Sequence, residues 1–236
     1  MPKKQVAVIG LGRFGVRTTR TLYNLGHDVL AIDRDEERVQ SVMGQATYAV
    51  SADCTNENAL RDLGVRDYGA VVVAIGTDIV SSVMASVLLK TLGVPIVVAR
   101  ARDSLHANTL RRIGVDRVIQ PEEEMGTRVA HSLFNPSVEE YLEVTNNFGI
   151  SRFRVPDRFS GTSLGELGFS GNRDSYGLTP IAICRKRKVT LNPPLTTKIK
   201  EDDLVIVAAL DSDLEVLDNL VSDLGTGTLN DDAKQV

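Results

Sequence analysis

The residues whose spacing carries chemistry stand at the start of the chain. Val6-Ala7-Val8-Ile9 runs into Gly10-Leu11-Gly12-Arg13-Phe14-Gly15, and a helical pattern follows. Between a strand and a helix, the first glycine of such a loop permits a tight turn. The second lets a diphosphate reach the backbone, and the third lets the helix pack close to the strand. The first N–H groups of the helix and its positive dipole end then face the phosphates. Asp33 closes the next apolar run. A carboxylate there accepts from both ribose hydroxyls and repels a 2′-phosphate, which disfavours NADP. Arg13 is the unusual member. A cation in the first helical turn opposes the helix dipole unless an anion is present. A further phosphate, beyond the two the helix end already holds, gives the guanidinium a purpose; a solvated arginine is the alternative.

Further candidates follow at the strand ends. Arg34 either stacks on an adenine face or is solvated at the head of Arg34-Asp35-Glu36-Glu37-Arg38. Asp53, beside Cys54, stands where an adenine edge would rest, and it also reads as the N-cap of a helix near Glu57. Asp78, in Ile75-Gly76-Thr77-Asp78, either caps a helix or faces the ligand. Arg100 and Arg102 end the fifth apolar run, where surface charge and a ligand role are both open.

Several chemistries lack their residues. His27, His106 and His131 all fall in the first part of the chain; His27 reads as a turn residue, the other two as helix-surface residues. No Ser-His-Asp order, zinc spacing or P-loop is present, and no acid/base group is placed for hydride transfer. The nucleotide therefore reads as a signal rather than a reactant, and the chain as no enzyme; an NAD-dependent oxidoreductase is the less favoured alternative, with the missing acid/base group against it. Net charge is −4 over 236 residues, which gives no basic field for nucleic acid. Cys54 and Cys184 form no disulfide framework and suit a reducing, cytoplasmic compartment; Cys184 reads as core. No apolar run is long enough to span a membrane, and the start has no cleavable leader pattern.

These residues need a scaffold. The runs at 6–9, 29–32, 48–51, 70–75, 96–99 and 117–120 are nearly continuous in apolar residues, as in strands buried on both faces of a parallel sheet. Gly26, Gly93-Val94-Pro95 and Gly114 stop the helices between them. The fold expected is α/β: a doubly wound parallel Rossmann sheet over 1–136, followed over 137–223 by a linker and a small α+β domain, with 224–236 a polar tail. Val138 to Val144 reads as a partly helical link. Alternating strands are expected at 153–155, 180–185, 189–191 and 204–210, and Asp211-Ser212-Asp213 reads as the cap of a last helix to about Ser222.

Taken in order, VAVIGLGRFG with Asp33, SADCTNENALRDLGV, VVVAIGTD and RRIGVDRVIQPEEEMG resemble the N-terminal domain of the RCK (regulator of potassium conductance) family. DRFSGTSLGEL, YGLTPIAICRKRKVTLNPPLTTKI and EDDLVIVAAL resemble its companion C-terminal domain. Length and the GLGRFG loop are similar to the cytosolic regulatory subunits of Ktr/Trk potassium uptake systems. The resemblance implies a homo-oligomeric, octameric ring at the inner face of the cell membrane, beneath a membrane-embedded potassium-translocating subunit. ATP or ADP, with NAD(H) as the alternative, would occupy the Rossmann cleft, and nucleotide exchange would change the ring's shape. It implies that Arg13 reaches an ATP γ-phosphate, that Asp33 takes the ribose and that Arg100 sits near the phosphates. Glu122, in Pro121-Glu122-Glu123-Glu124, matches a glutamate that helps hold Mg²⁺ or Ca²⁺, although Pro121 with acids behind it is also an ordinary helix start. In the C-terminal domain, Arg173 and Pro194 of Asn192-Pro193-Pro194 are similar to a cyclic di-AMP pattern, which Thr179 breaks. The run Arg185-Lys186-Arg187-Lys188 reads as a solvated hairpin turn or as an anion contact.

Overall fold

The computed structural model describes residues 4–133, 138–145, 147–169, 178–210 and 212–213. The chain divides into two compact units, 1–123 and 124–236. The boundary expected at 136 lies outside the described residues. The observed division falls earlier, so that most of the helix starting at Pro121 counts with the second unit.

In the first unit strands and helices alternate: β1 (Gln5–Ile9), α1 (Arg13–Asn24), β2 (Asp28–Asp33), α2 (Glu36–Gln40), β3 (Tyr48–Ser51), α3 (Glu57–Asp62), β4 (Ala70–Val73), α4 (Ile79–Thr91), β5 (Val97–Arg100), α5 (Ser104–Arg112), β6 (Arg117–Ile119) and α6 (Pro121–Leu133). The six strands pair in parallel in the order β3-β2-β1-β4-β5-β6. Both faces of β1 are buried: Ala7 and Ile9 pack in one apolar cluster, Val6 and Val8 in another. That is why the apolar runs are continuous rather than alternating. The strand order reverses between β1 and β4, the place where doubly wound sheets open a crevice at the carboxyl ends of their strands. β4 stops at Val73, two residues short of the run read from the sequence, so Ala74 to Gly76 leave the sheet at that crevice.

The helix starts differ in one informative way. α2, α3, α4 and α5 are capped by the side chains of Asp35, Asn56, Asp78 and Asp103, each accepting from N–H groups of its own first turn. α1 begins at Gly12 with no side-chain cap, so its first N–H groups are left for another partner. The cap of α3 is Asn56 and not Asp53, as the sequence suggested. Asp53 closes its own turn, taking the N–H of Thr55 at 2.9 Å and its hydroxyl at 2.7 Å.

The second unit is built on an antiparallel sheet in the order β10-β9-β11-β8-β7, from β7 (Val138–Thr145), β8 (Phe148–Arg154), β9 (Thr179–Arg185), β10 (Lys188–Leu191) and β11 (Leu204–Leu210). Residues 138–144 are therefore strand, and the partly helical link is corrected. β7 is held along its length by β8, and the Tyr141 ring lies on Gly149, where an added Cβ would come within 2.3 Å of it. Tyr141, Phe153, Phe169, Leu178, Val205 and Val207 fill the core. Arg185 is not a solvated turn residue: it grips the fully buried Asp203 at 2.8 and 2.6 Å. Burial pushes the Asp203 carboxyl up, but the Arg185 guanidinium and the Lys200 N–H outweigh it and hold the carboxyl below its ordinary value. Cys184 is half-buried rather than core. Pro194 is exposed, its carbonyl taking the N–H of Thr197. Arg173, Asp211, the expected helix past Asp213 and the tail 224–236 lie outside the described residues.

Candidate nucleotide site

A cavity of ≈ 750 Å³ opens at the carboxyl ends of β1, β2 and β4. Drug-sized and nucleotide-sized ligands occupy cavities of roughly this size. Gly10, Gly12, Arg13, Phe14, Asp33, Arg34, Asp53, Cys54, Ile75, Gly76, Asp78, Arg100 and Glu122 all line it. Two residues of the candidate set do not. Leu11 is buried and sends its N–H to Asp33 Oδ2 at 2.6 Å. Gly15 faces the strand: a Cβ there would stand 1.8 Å from the Gly10 carbonyl oxygen. Gly10 has φ +92°, the left-handed turn that the loop needs. Around Gly12 an added Cβ would meet nothing within 4 Å, so the uncapped end of α1 is open to the cavity. Arg102 does not line the cavity; it pairs with Asp103 at 3.1 Å.

The charges of the cavity sort into paired and unpaired. Arg34 lies 3.7 Å from Asp78, Arg38 lies 3.4 Å from Asp35 and 3.7 Å from Asp33, and Arg100 is bonded to Glu122. Arg13 and Arg17 have no ion pair among the described residues. Cationic side chains left unmatched beside an uncapped helix start make an anion site. Hydrogen bonds from Thr55 hold the Asp53 carboxyl below its ordinary value, and those from Ser81 do the same for Asp78. Asp78 thus caps α4 and lines the cavity at once, so its cap role is compatible with a ligand role. Burial, with Asp53 and Asp33 nearby, pushes the Cys54 thiol up to about 12, so it is no nucleophile at neutral pH. Asp33 takes Leu11 N–H on one oxygen and Asp35 N–H on the other, which fixes the carboxylate at the crevice edge.

Arg17 and Arg38 escaped the sequence reading. Arg17 had a signal: four residues after Arg13 on one helix is the same face. Arg38 had none, because only the folded turn brings it back to Asp33.

Residues 6–121 match the TrkA-N domain and residues 150–222 the TrkA-C domain. The Ktr system potassium uptake protein A of Bacillus subtilis is 36% identical over 216 residues, covering 92% of this chain and 96% of that protein. This chain belongs to the Ktr potassium uptake family. The Ktr system potassium uptake protein A of Vibrio alginolyticus is 35% identical, over 86% of this chain and 91% of that one. The fold of this Ktr-family chain is that of the GsuK RCK domain, with a TM-score of 0.64 at 17% identity over 94% of the chain; the match spans about half of that structure, 48%. The fold is also that of the GsuK channel bound to NAD, with a TM-score of 0.62 at 18% identity, over 98% of this chain and 41% of that one. Among the described residues no helix is long and apolar enough to cross a membrane.

His106 is corrected from surface to core. It is buried, its Nδ1 accepts the N–H of Arg102 at 3.2 Å, and its Nε2 is buried without a partner. Burial holds the imidazole below its ordinary value, with Asp103 raising it and Arg102 lowering it. The unfolded chain takes up this proton near the ordinary histidine value and the folded chain does not, so stability is full above that value and falls as pH drops through it. The urea midpoint of the first unit is expected to fall between about pH 7.5 and about pH 5.5, and His106→Gln to flatten that slope. An unchanged slope in the variant would assign the acid sensitivity elsewhere.

Proposed function

We propose that this chain is a nucleotide-sensing gating subunit for a membrane-embedded potassium-translocating protein. In this reading ATP and ADP are the ligands of the first unit, and their exchange changes the shape of a homo-oligomeric, octameric ring. The chain works at the inner, cytoplasmic face of the membrane and does no chemistry on the nucleotide. The observation that carries the proposal is the uncapped start of α1, open at Gly12, with Arg13 and Arg17 unpaired beside it in the same cavity as Asp33. Adenosine, diphosphate and a third phosphate each have a partner in that set. Membership of the Ktr family supplies potassium uptake as the context.

A divalent cation is compatible with this reading only in company with the ligand. No group of three or more His, Cys, Asp or Glu side chains that could hold a metal is gathered among the described residues. Mg²⁺ or Ca²⁺ needs only one or two carboxylates with phosphate oxygens and water, and Glu122 is the carboxylate we assign to it. For the second unit we keep cyclic di-AMP as a ligand to be tested, with Pro194 and Arg173 as its contacts.

Gating requires that the two nucleotides bind the two ring shapes with different affinities. Calorimetric titration of nucleotide-stripped protein with ATP, ADP and NADH, with and without Mg²⁺, tests the ligand. ATP and ADP are expected to bind, ATP more tightly with Mg²⁺, and NADH weakly. Tight NADH with weak ATP would overturn the ATP/ADP assignment in favour of an NAD(H)-responsive subunit. Asp33 is compatible with that second reading, since it suits either adenosine ligand, and the fold shared with the NAD-bound GsuK channel supports it.

A further inference from the structure

Arg100 and Glu122 form an ion pair unlike the others in the cavity. Arg100 ends β5, and its guanidinium lies against the backbone of Gly76, where a Cβ would stand 2.6 Å from both Cζ and Nη1. The absence of a side chain at Gly76 is what seats it. The Arg100 side chain is 20% exposed, its Nε is buried with no hydrogen-bond partner, and its Nη2 donates to Glu122 Oε1. Glu122 is the mobile partner in chemical terms: it is 62% exposed, on the second residue of α6. A seated, desolvated guanidinium with an unused N–H, facing the same cavity as the open start of α1, is an anion subsite, and in this state Glu122 fills it.

We infer that Glu122 is a built-in competitor for the phosphate subsite of Arg100. A ligand phosphate drawn to Arg100 brings further negative charge against the Glu122 carboxylate. Arg100 is held by Gly76 and cannot follow; Glu122 is solvated and can leave. The phosphate therefore displaces the carboxylate, and part of its attraction to Arg100 is spent on breaking the existing pair. Two consequences follow. Affinity is set lower for ligands whose phosphates reach Arg100 than for those that stop short. The displaced residue lies in the first turn of α6, so ligand occupancy releases the β5 end from the start of that helix.

This inference rests on the nucleotide reading and is tested beside it. Wild type, Glu122→Gln and Glu123→Gln are titrated with adenosine, AMP and ADP in EDTA, on the full chain, by calorimetry. Glu123→Gln removes the same charge one residue away and is the control. Glu122→Gln is expected to bind ADP about 3- to 10-fold more tightly than wild type, the range of one partly exposed, charge-assisted pair. Adenosine affinity is expected to be unchanged, and Glu123→Gln to behave as wild type. If wild type binds ADP and Glu122→Gln binds it equally or more weakly, Glu122 is no competitor, and the nucleotide reading survives. A gain that extends equally to adenosine, or to Glu123→Gln, also overturns the competition. Absence of ADP binding in all three proteins overturns the nucleotide reading itself.

Discussion

Gly15→Ala is expected to cost the first unit about 3 kcal/mol, while Gly12→Ala, three residues away, leaves its stability within about 0.5 kcal/mol of wild type. The difference lies in what each missing Cβ would meet. At Gly15 it would stand 1.8 Å from the Gly10 carbonyl oxygen, and the obstacle is backbone, which cannot rotate aside. Either α1 lifts from β1 or the loop opens, and in both cases buried Ala74 and the glycine turn lose their packing. At Gly12 the backbone angles, φ −69° and ψ −176°, suit any residue, and nothing lies within 4 Å. A methyl group there harms only what enters the cavity. Gly12→Ala is therefore expected to fold normally and to bind ADP at least about tenfold more weakly, because the phosphate can no longer approach the N–H groups at the start of α1. Urea unfolding followed by calorimetry separates the two effects; for Gly15→Ala the thermal midpoint should fall by roughly 10 °C. Wild-type ADP affinity in Gly12→Ala would show that the loop is not the phosphate cradle.

The contrast also marks how far the sequence could be read. The glycine spacing is local, and each glycine's task follows from the strand before it and the helix after it. The strand runs were legible for a related reason: burial on both faces leaves no polar position inside β1, β2 or β4 to obscure them. Asp33 could be placed because it ends one of those runs. Asp53 was harder, since an aspartate near a helix start serves either its own turn or the cap, and with Thr55 supplying two donors the turn won. Two misreadings have long-range causes. β7 carries Glu139, Glu140 and Glu143 in its first six residues, which hides a strand whose partner, β8, decides the matter. His106 lies on a nine-residue helix, where Ala107 and Leu110 mark the buried face but a histidine just before Ala107 reads equally well as a surface residue. The Arg100–Glu122 pair joins residues far apart in the sequence, and nothing in either local stretch predicts it.

In the proposed reading, discrimination between ATP and ADP at this site rests on Arg13. Its side chain is exposed, it is the first residue of α1, and it has no ion pair among the described residues. A cation at a helix start is unfavourable by about 0.3–1 kcal/mol in the absence of an anion. Arg13→Ala should accordingly leave the ligand-free protein as stable as wild type or slightly more so. In that reading a diphosphate is held first by the uncapped N–H groups of α1, which the variant keeps. A γ-phosphate extends beyond them and needs a donor that can reach out, which a long guanidinium side chain is and a backbone N–H is not. Arg13→Ala is thus expected to weaken ATP by about 30-fold, close to 2 kcal/mol, and ADP by about threefold or less. Titrating both nucleotides into the variant and the wild type decides it. An equal loss for ATP and ADP would place Arg13 on a phosphate the two share, and the site would then have no side chain of its own to tell triphosphate from diphosphate. A selective loss would make Arg13 the residue through which this subunit distinguishes the two, because two ligands that bind every state equally shift nothing between them.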